Sequence, residues 1–147
     1  MGLEEKLKQD MATAMKAGDR EVLETIRMLR AQLKNASIAK GGPLEESDVL
    51  QVLGKEAKKR KESVTLFEQG GRDELAQKEK RELETIMGYM PEPLSDEDLK
   101  SVAAEVIQEI EAEGMKDMGK VMKMVMPRVQ GRADGKAVQD IVRQLLG

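Results

Sequence analysis

The sequence predicts an all-α protein, a four-helix N-terminal part followed by a three-helix C-terminal part. Three observations carry this expectation. Apolar residues recur at helical spacing, and no segment shows the strict alternation of a half-buried strand. Glycines and a Pro-Glu-Pro segment divide these patterns into short runs. Composition fits a modest helical core, with 39% apolar and 36% charged residues among 147, and Phe67 and Tyr89 as the only aromatics.

Leu3, Leu7, Met11 and Met15 recur every four residues and define a first helix ended by Gly18. Asp19 is placed to cap a second, whose stripe is Val22, Ile26, Leu29 and Leu33 and which Gly41-Gly42-Pro43 breaks. A third helix starts at the acidic pair Glu45-Glu46, carries Leu50, Leu53, Ala57, Val64 and Phe67, and closes at Gly70-Gly71. The fourth runs from about Asp73 to Tyr89 with Leu75, Leu83 and Ile86 inward. Pro91 and Pro93 then mark a boundary between residues 1–93 and residues 94–147. In the second part, Ser95-Asp96-Glu97-Asp98 resembles a capping box and opens a helix through Leu99, Val102, Val106 and Ile110, with Gly114 as its expected end. Asp117 is expected to cap the next helix, which reaches Pro127 or slightly beyond, and Asp134 to cap a last one holding Val138, Ile141, Val142 and Leu145.

The residue types that are missing restrict the chemistry. The chain has no Cys, His or Trp. Without imidazole or thiol there is no His-based nucleophile pair, no thiolate and no soft metal ligand. Ser, Thr, Lys, Asp and Glu remain, in no spacing that pairs a nucleophile with a base. No catalytic residue, metal or cofactor is expected, and no small-molecule substrate is evident. No apolar run approaches the ~18 residues needed to span a bilayer, and the first residues carry acid where a signal peptide carries base, so a cytoplasmic location and no membrane partner are expected.

Charge is unevenly spread. Residues 115–147 hold seven basic and three acidic side chains, net +4, while the first 114 residues carry 18 basic and 25 acidic, net −7. A basic end on an acidic chain suits a polyanion as partner. On a helical wheel Met118, Met122, Val125 and Val129 cluster, with Lys116, Lys120 and Lys123 opposite; Arg128, Arg132 and Lys136 continue the basic track across a turn framed by Gly131 and Gly135. These six cations are the candidate RNA contacts. Two aromatics far apart cannot form a base-stacking platform, so any RNA would be held by shape and phosphate.

The stretch Met115 to Met122, then Met126-Pro127-Arg128-Val129 and Gly131-Arg132-Ala133-Asp134-Gly135-Lys136, resembles the YqeY-like proteins, which share their helical region with the C-terminal part of GatB, a component of the tRNA-dependent amidotransferase. Ile26 to Arg30, Lys55 to Arg60 with Glu62-Ser63, and Tyr89-Met90-Pro91 with Leu94-Ser95 extend the likeness over the whole chain. The resemblance implies two helical parts, with a tail whose motif positions are Gly119, Gly131, Ala133, Asp134 and Gly135 and whose partner is tRNA or a tRNA-handling enzyme. It also implies the family-level label of carbon–nitrogen ligase with glutamine as amido donor, inherited from a relative that carries a catalytic domain with no counterpart here. A helical adaptor with a Met-rich surface for protein is the alternative.

Several signals are set aside. Gly114 to Val121 has the glycine and lysine spacing of a P-loop but places Val121 where Mg²⁺ needs Ser or Thr, and it follows a helix rather than a strand. The run Lys55 to Glu62, and the trio Arg27, Arg30 and Lys34, are read as solvated helix faces. Within the first part, Arg60 and Glu79 each interrupt an apolar stripe. If Gly70-Gly71 closes an antiparallel hairpin, residues whose numbers sum to about 139 should face each other, which brings Arg60 to Glu79 as a structural ion pair.

Overall fold

The computed structural model describes residues 2–129 and 132–147. Among the described residues there are seven α-helices and no strand: α1 (Leu3–Ala17), α2 (Arg20–Lys40), α3 (Glu46–Gln69), α4 (Asp73–Met87), α5 (Asp96–Glu109), α6 (Met118–Val129) and α7 (Gly135–Leu146), with one 3₁₀ turn at Met115–Asp117. The fold is all-α. Among the described residues no helix is long and apolar enough to cross a membrane. The chain divides into two compact units, Met1–Met90 and Pro91–Gly147.

In the first unit, α1 ends where Gly18 turns left-handed at φ 71°, and the Asp19 carboxylate accepts the N–H of Val22 to start α2. α2 ends the same way at Gly41, φ 82°. A reciprocal box of Glu45 and Asp48 opens α3, and Lys40 reaches Asp48 at 2.6 Å. The Lys40 hydrogen bond, helped by the N–H of Glu45, holds the Asp48 carboxyl below its usual range. α3 and α4 run antiparallel about Gly70-Gly71, with Lys80 paired to Glu68, Arg60 near Glu79, and Met90 packed toward Gly54. Leu7, Ile26, Leu29, Val49, Leu53 and Ile86 are fully buried in one core.

Three expectations need correction here. Met15, placed on the inward stripe of α1, is 53% exposed. Leu75 is 40% exposed, and Ala76 is buried in its place. Leu75 and Ala76 are consecutive, about 100° apart on the wheel, so near the hairpin tip the buried line of α4 lies one residue away from the stripe extrapolated from Ile86. Within the run Lys55 to Glu62, read as a solvated face, Glu56 is buried with 4% exposure.

The second unit packs Leu99, Ala103 and Val106 of α5, Val121, Val125 and Val129 of α6, and Val138, Ile141 and Val142 of α7 into its own core. Ser95 caps α5 through the N–H of Asp98, and Asp134 caps α7 through the N–H of Ala137. α5 stops at Glu109 rather than at Gly114. Its end is formed by Glu111, which takes a left-handed φ of 54° with no glycine to ease it, and by the N–H of Ala112 bonded to the carbonyl of Ile107. Gly114, at φ 171°, is simply extended. Nor is Asp117 a helix cap: it lies in the 3₁₀ turn, and its carboxylate accepts the N–H of Glu113. Pro127 sits in the last turn of α6.

A candidate nucleic-acid interface in the second unit

α6 turns Val121, Val125 and Val129 into the core and leaves Lys120, Lys123, Met124 and Arg128 exposed. The helix period makes this separation: the valines are spaced by four, and the lysines fall on the opposite side. Met118, Met122 and Met126 are half-buried against the core, while Met115 and Met124 are 45% and 42% exposed.

The six cations of the basic track are not equivalent. Lys116 Nζ lies 3.1 Å from Glu113 Oε2, with both side chains highly exposed. Arg128 donates from Nη2 to Glu109 Oε2 at 2.7 Å, and that bond, reinforced by the charge of Glu105, raises the Arg128 pKa further above neutrality. Arg132 donates from Nε to the carbonyl of Glu92 at 3.0 Å, and its own carbonyl accepts the N–H of Leu94 at 2.8 Å. It ties the start of the unit to the α6–α7 connection. Among the described residues Lys120, Lys123 and Lys136 make no ion pair, and all three are exposed. Arg143, which lies two turns beyond Lys136 on the exposed side of α7, is a further cation that the basic-track pattern missed. Its spacing of seven from Lys136 is the signal that could have found it.

The unit as a whole, residues 91–147, carries eight basic and eleven acidic side chains, net −3. Eight of those acids precede residue 115, on α5 and its flanks, so the acidic screen is built into the same unit as the basic helix.

Of the motif positions, Ala133 is half-buried in the core of the unit and Asp134 is the α7 cap. A Cβ on Gly135 would meet Met126 Cε at 4.0 Å, whereas one on Gly119 would meet nothing within 4 Å. Gly131 lies outside the described residues. Gly119 is thus exposed, helical and sterically unconstrained inside the fold.

The remaining candidate pair belongs to the first unit. Arg60 Nε lies 3.7 Å from Glu79 Oε2, but it donates to Glu82 Oε2 at 3.2 Å, and Nη1 donates to Glu56 Oε2 at 3.0 Å. Glu56 also receives Lys59 at 3.3 Å. Glu79 Oε2 is buried with no hydrogen-bond partner. Burial, then the charge of Glu82, pushes the Glu79 carboxyl above its usual range against the pull of Arg60 and Lys78. A groove of about 290 Å³ between α2 and α3 is lined by Gln32, Asn35, Lys55, Glu56 and Lys59, but its one buried carboxylate is already bonded. Among the described residues no group of three or more metal-ligating side chains is gathered.

A family model described as Yqey-like protein matches residues 4–146. "Altered inheritance of mitochondria protein 41, mitochondrial" from Pyrenophora tritici-repentis is 27% identical over 145 residues, which cover 97% of this chain and 80% of that protein. The protein of the same name from Clavispora lusitaniae is 38% identical over 108 residues, 72% of this chain and 63% of that protein. A component of the glutamyl-tRNA(Gln) amidotransferase from Thermococcus gammatolerans is 42% identical over 55 residues, 35% of this chain and 9% of that protein. The cytoplasmic expectation is overturned by the first two relatives, which carry mitochondrial names. Its grounds, no long apolar run and first residues that carry acid where a signal peptide carries base, bear on membrane spans and secretion and do not distinguish one aqueous compartment from another.

Proposed function

The chain belongs to the YqeY-like protein family, and on that premise we propose that it is a non-catalytic accessory protein whose second unit docks on structured RNA, tRNA first among candidates. It acts alone or beside a tRNA-handling enzyme. The observation that carries this is the pair Lys120 and Lys123, exposed on one side of α6 and free of ion pairs among the described residues, next to the sterically open Gly119. Phosphate contacts need cations not already neutralised, and a glycine lets a backbone approach closely. The short match to an amidotransferase component named for a tRNA supports the same choice of ligand. The scarcity of aromatics favours shape and phosphate over stacking.

The test is titration of the full chain with tRNA over a range of salt. Binding in the micromolar range that weakens steeply as salt rises supports the proposal, since each phosphate contact releases counterions. Absence of salt-sensitive binding at low ionic strength would sink it.

A second reading, a protein adaptor, rests on the exposed thioethers of Met115 and Met124. Partner capture that is unchanged by nuclease would favour it.

A further inference from the structure

Resting on the reading of the second unit as an RNA-docking surface, we propose that the polyanion lies along the α6–α7 flank, and that the carboxylates of α5 close the opposite flank and keep Arg128 out of contact. With Val121, Val125 and Val129 taken as the inward direction, Lys120 and Lys123 fall close to the outward pole of α6. Met124 and Arg128 turn toward one flank, and Gly119 and Met126 toward the other. Two contacts identify these flanks. Arg128 reaches Glu109 of α5, and Met126 approaches Gly135 at the start of α7.

On the α5 flank, Glu105 and Glu109 stand one turn apart and exposed, and Arg128 is 2.7 Å from the second of them. A phosphate that approached Arg128 would have to displace one carboxylate and sit beside another. On the α7 flank the surroundings differ. Gly119 presents bare backbone with nothing within 4 Å of an added Cβ, and Lys136 is exposed in the first turn of α7. The acid on this side, Asp134, is turned to the N–H of Ala137 as a helix cap, and Asp140 is followed one turn on by Arg143. Cations spread over α6 and α7 with one acidic border fix which side of the helix pair an RNA backbone meets.

The experiment measures tRNA affinity against salt for the full chain and five variants, all at exposed positions, with helix content checked by circular dichroism. Lys120→Gln, Lys123→Gln and Lys136→Gln should each weaken binding several-fold and flatten the slope of log affinity on log salt by about 0.7–0.9, the loss of one phosphate contact. Arg128→Gln should leave the slope unchanged. Glu109→Gln, which removes one of the two carboxylates from that flank, should raise affinity and steepen the slope. Loss of slope in Arg128→Gln equal to that in Lys123→Gln overturns the assignment of flanks while leaving RNA docking intact. Absence of salt-sensitive binding in the unaltered chain overturns both.

Discussion

Arg60 and Glu79 approach to 3.7 Å across the α3–α4 seam, yet both hydrogen bonds that the guanidinium donates to carboxylates go elsewhere, to Glu56 and Glu82. Three carboxylates share one arginine, and Glu79 is the one left with a buried oxygen unbonded. Removing its charge relieves repulsion from Glu82 as well as a desolvation penalty. Glu79→Gln should therefore leave stability unchanged at neutral pH or raise it by up to about 1 kcal/mol, whereas Arg60→Gln should cost about 3 kcal/mol by stranding the acids. The sign with pH follows from the raised carboxyl: its contribution is fully present below the ordinary carboxylate pKa and is lost as pH rises through the folded value. The advantage of Glu79→Gln over the native chain in urea unfolding should thus grow from about pH 4 toward neutrality. A loss exceeding about 1 kcal/mol in Glu79→Gln would show that Arg60 and Glu79 form the dominant pair.

That seam also shows what the sequence made legible. Gly70-Gly71 set the hairpin register, and stripe interruptions at Arg60 and Glu79 picked out two of the four charges. Glu56 was hidden by the lysines around it, although it lies seven residues from the buried Val49 and four from Arg60, both on the inward line. In the second unit Val125, Val129 and the lysine face of α6 could be read from spacing, whereas the expected inward stripe runs through Met118 and Met122, which are half-buried, and leaves out the buried Val121. The neutralisation of Arg128 could not be read in this way, because Glu109 comes 19 residues earlier and only packing of α5 beside α6 brings them together. The end of α5 is not legible in the sequence for a different reason: Glu111 adopts the left-handed turn that glycine normally marks, while the nearest glycine, Gly114, is extended.

Tyr89 donates its hydroxyl to Asp10 Oδ2 at 2.6 Å, and Lys6 Nζ stands 5.5 Å from the ring centroid, so the last residues of the first unit are held on α1. Tyr89→Phe should cost about 1.5–3 kcal/mol in denaturant unfolding, the range for a hydrogen bond to a charged acceptor. Burial first, and then the Asp10 bond, holds the phenol well above its ordinary pKa of 10.0. Stability from this group is full below pH 10 and declines only as pH climbs through the folded value. Phenolate absorbance should appear far above pH 10, together with unfolding. Ionisation near 10 in the folded chain would contradict the buried bond.

Gly119 separates folding from docking. It is the second residue of α6, and a Cβ there meets nothing within 4 Å. Gly119→Ala should therefore stabilise the second unit by about 0.5–1 kcal/mol, the helix-propensity gain, while reducing tRNA affinity if a backbone approaches at this point. Thermal unfolding and salt-dependent binding measure the two effects on one sample. Stabilisation with unaltered affinity would remove Gly119 from the interface.

The division between units gives the last prediction. The first core draws on residues from Leu3 to Met90 and the second on residues from Leu94 to Leu146, so each is built from its own segment of chain. A fragment of residues 1–93 should therefore unfold cooperatively, with α1 to α4 retained. The second unit places a sharper demand on where the cut is made. Arg132 bonds the carbonyl of Glu92 through Nε, and its own carbonyl takes the N–H of Leu94, so residues 91–94 are attached to the α6–α7 connection. Cutting before Leu94, where the prolines suggest a boundary, deletes the acceptor of Arg132. Cutting before Pro91 keeps it. A fragment of residues 91–147 should consequently be more stable than one of residues 94–147 by about 0.5–1.5 kcal/mol, the net worth of one hydrogen bond, and Arg132→Gln should lower the longer fragment toward the shorter while leaving the shorter unchanged. Equal midpoints for the two fragments would mean that the Glu92–Arg132 bond contributes nothing to the unit, and loss of cooperative unfolding in residues 1–93 would mean that the first core needs the second to fold.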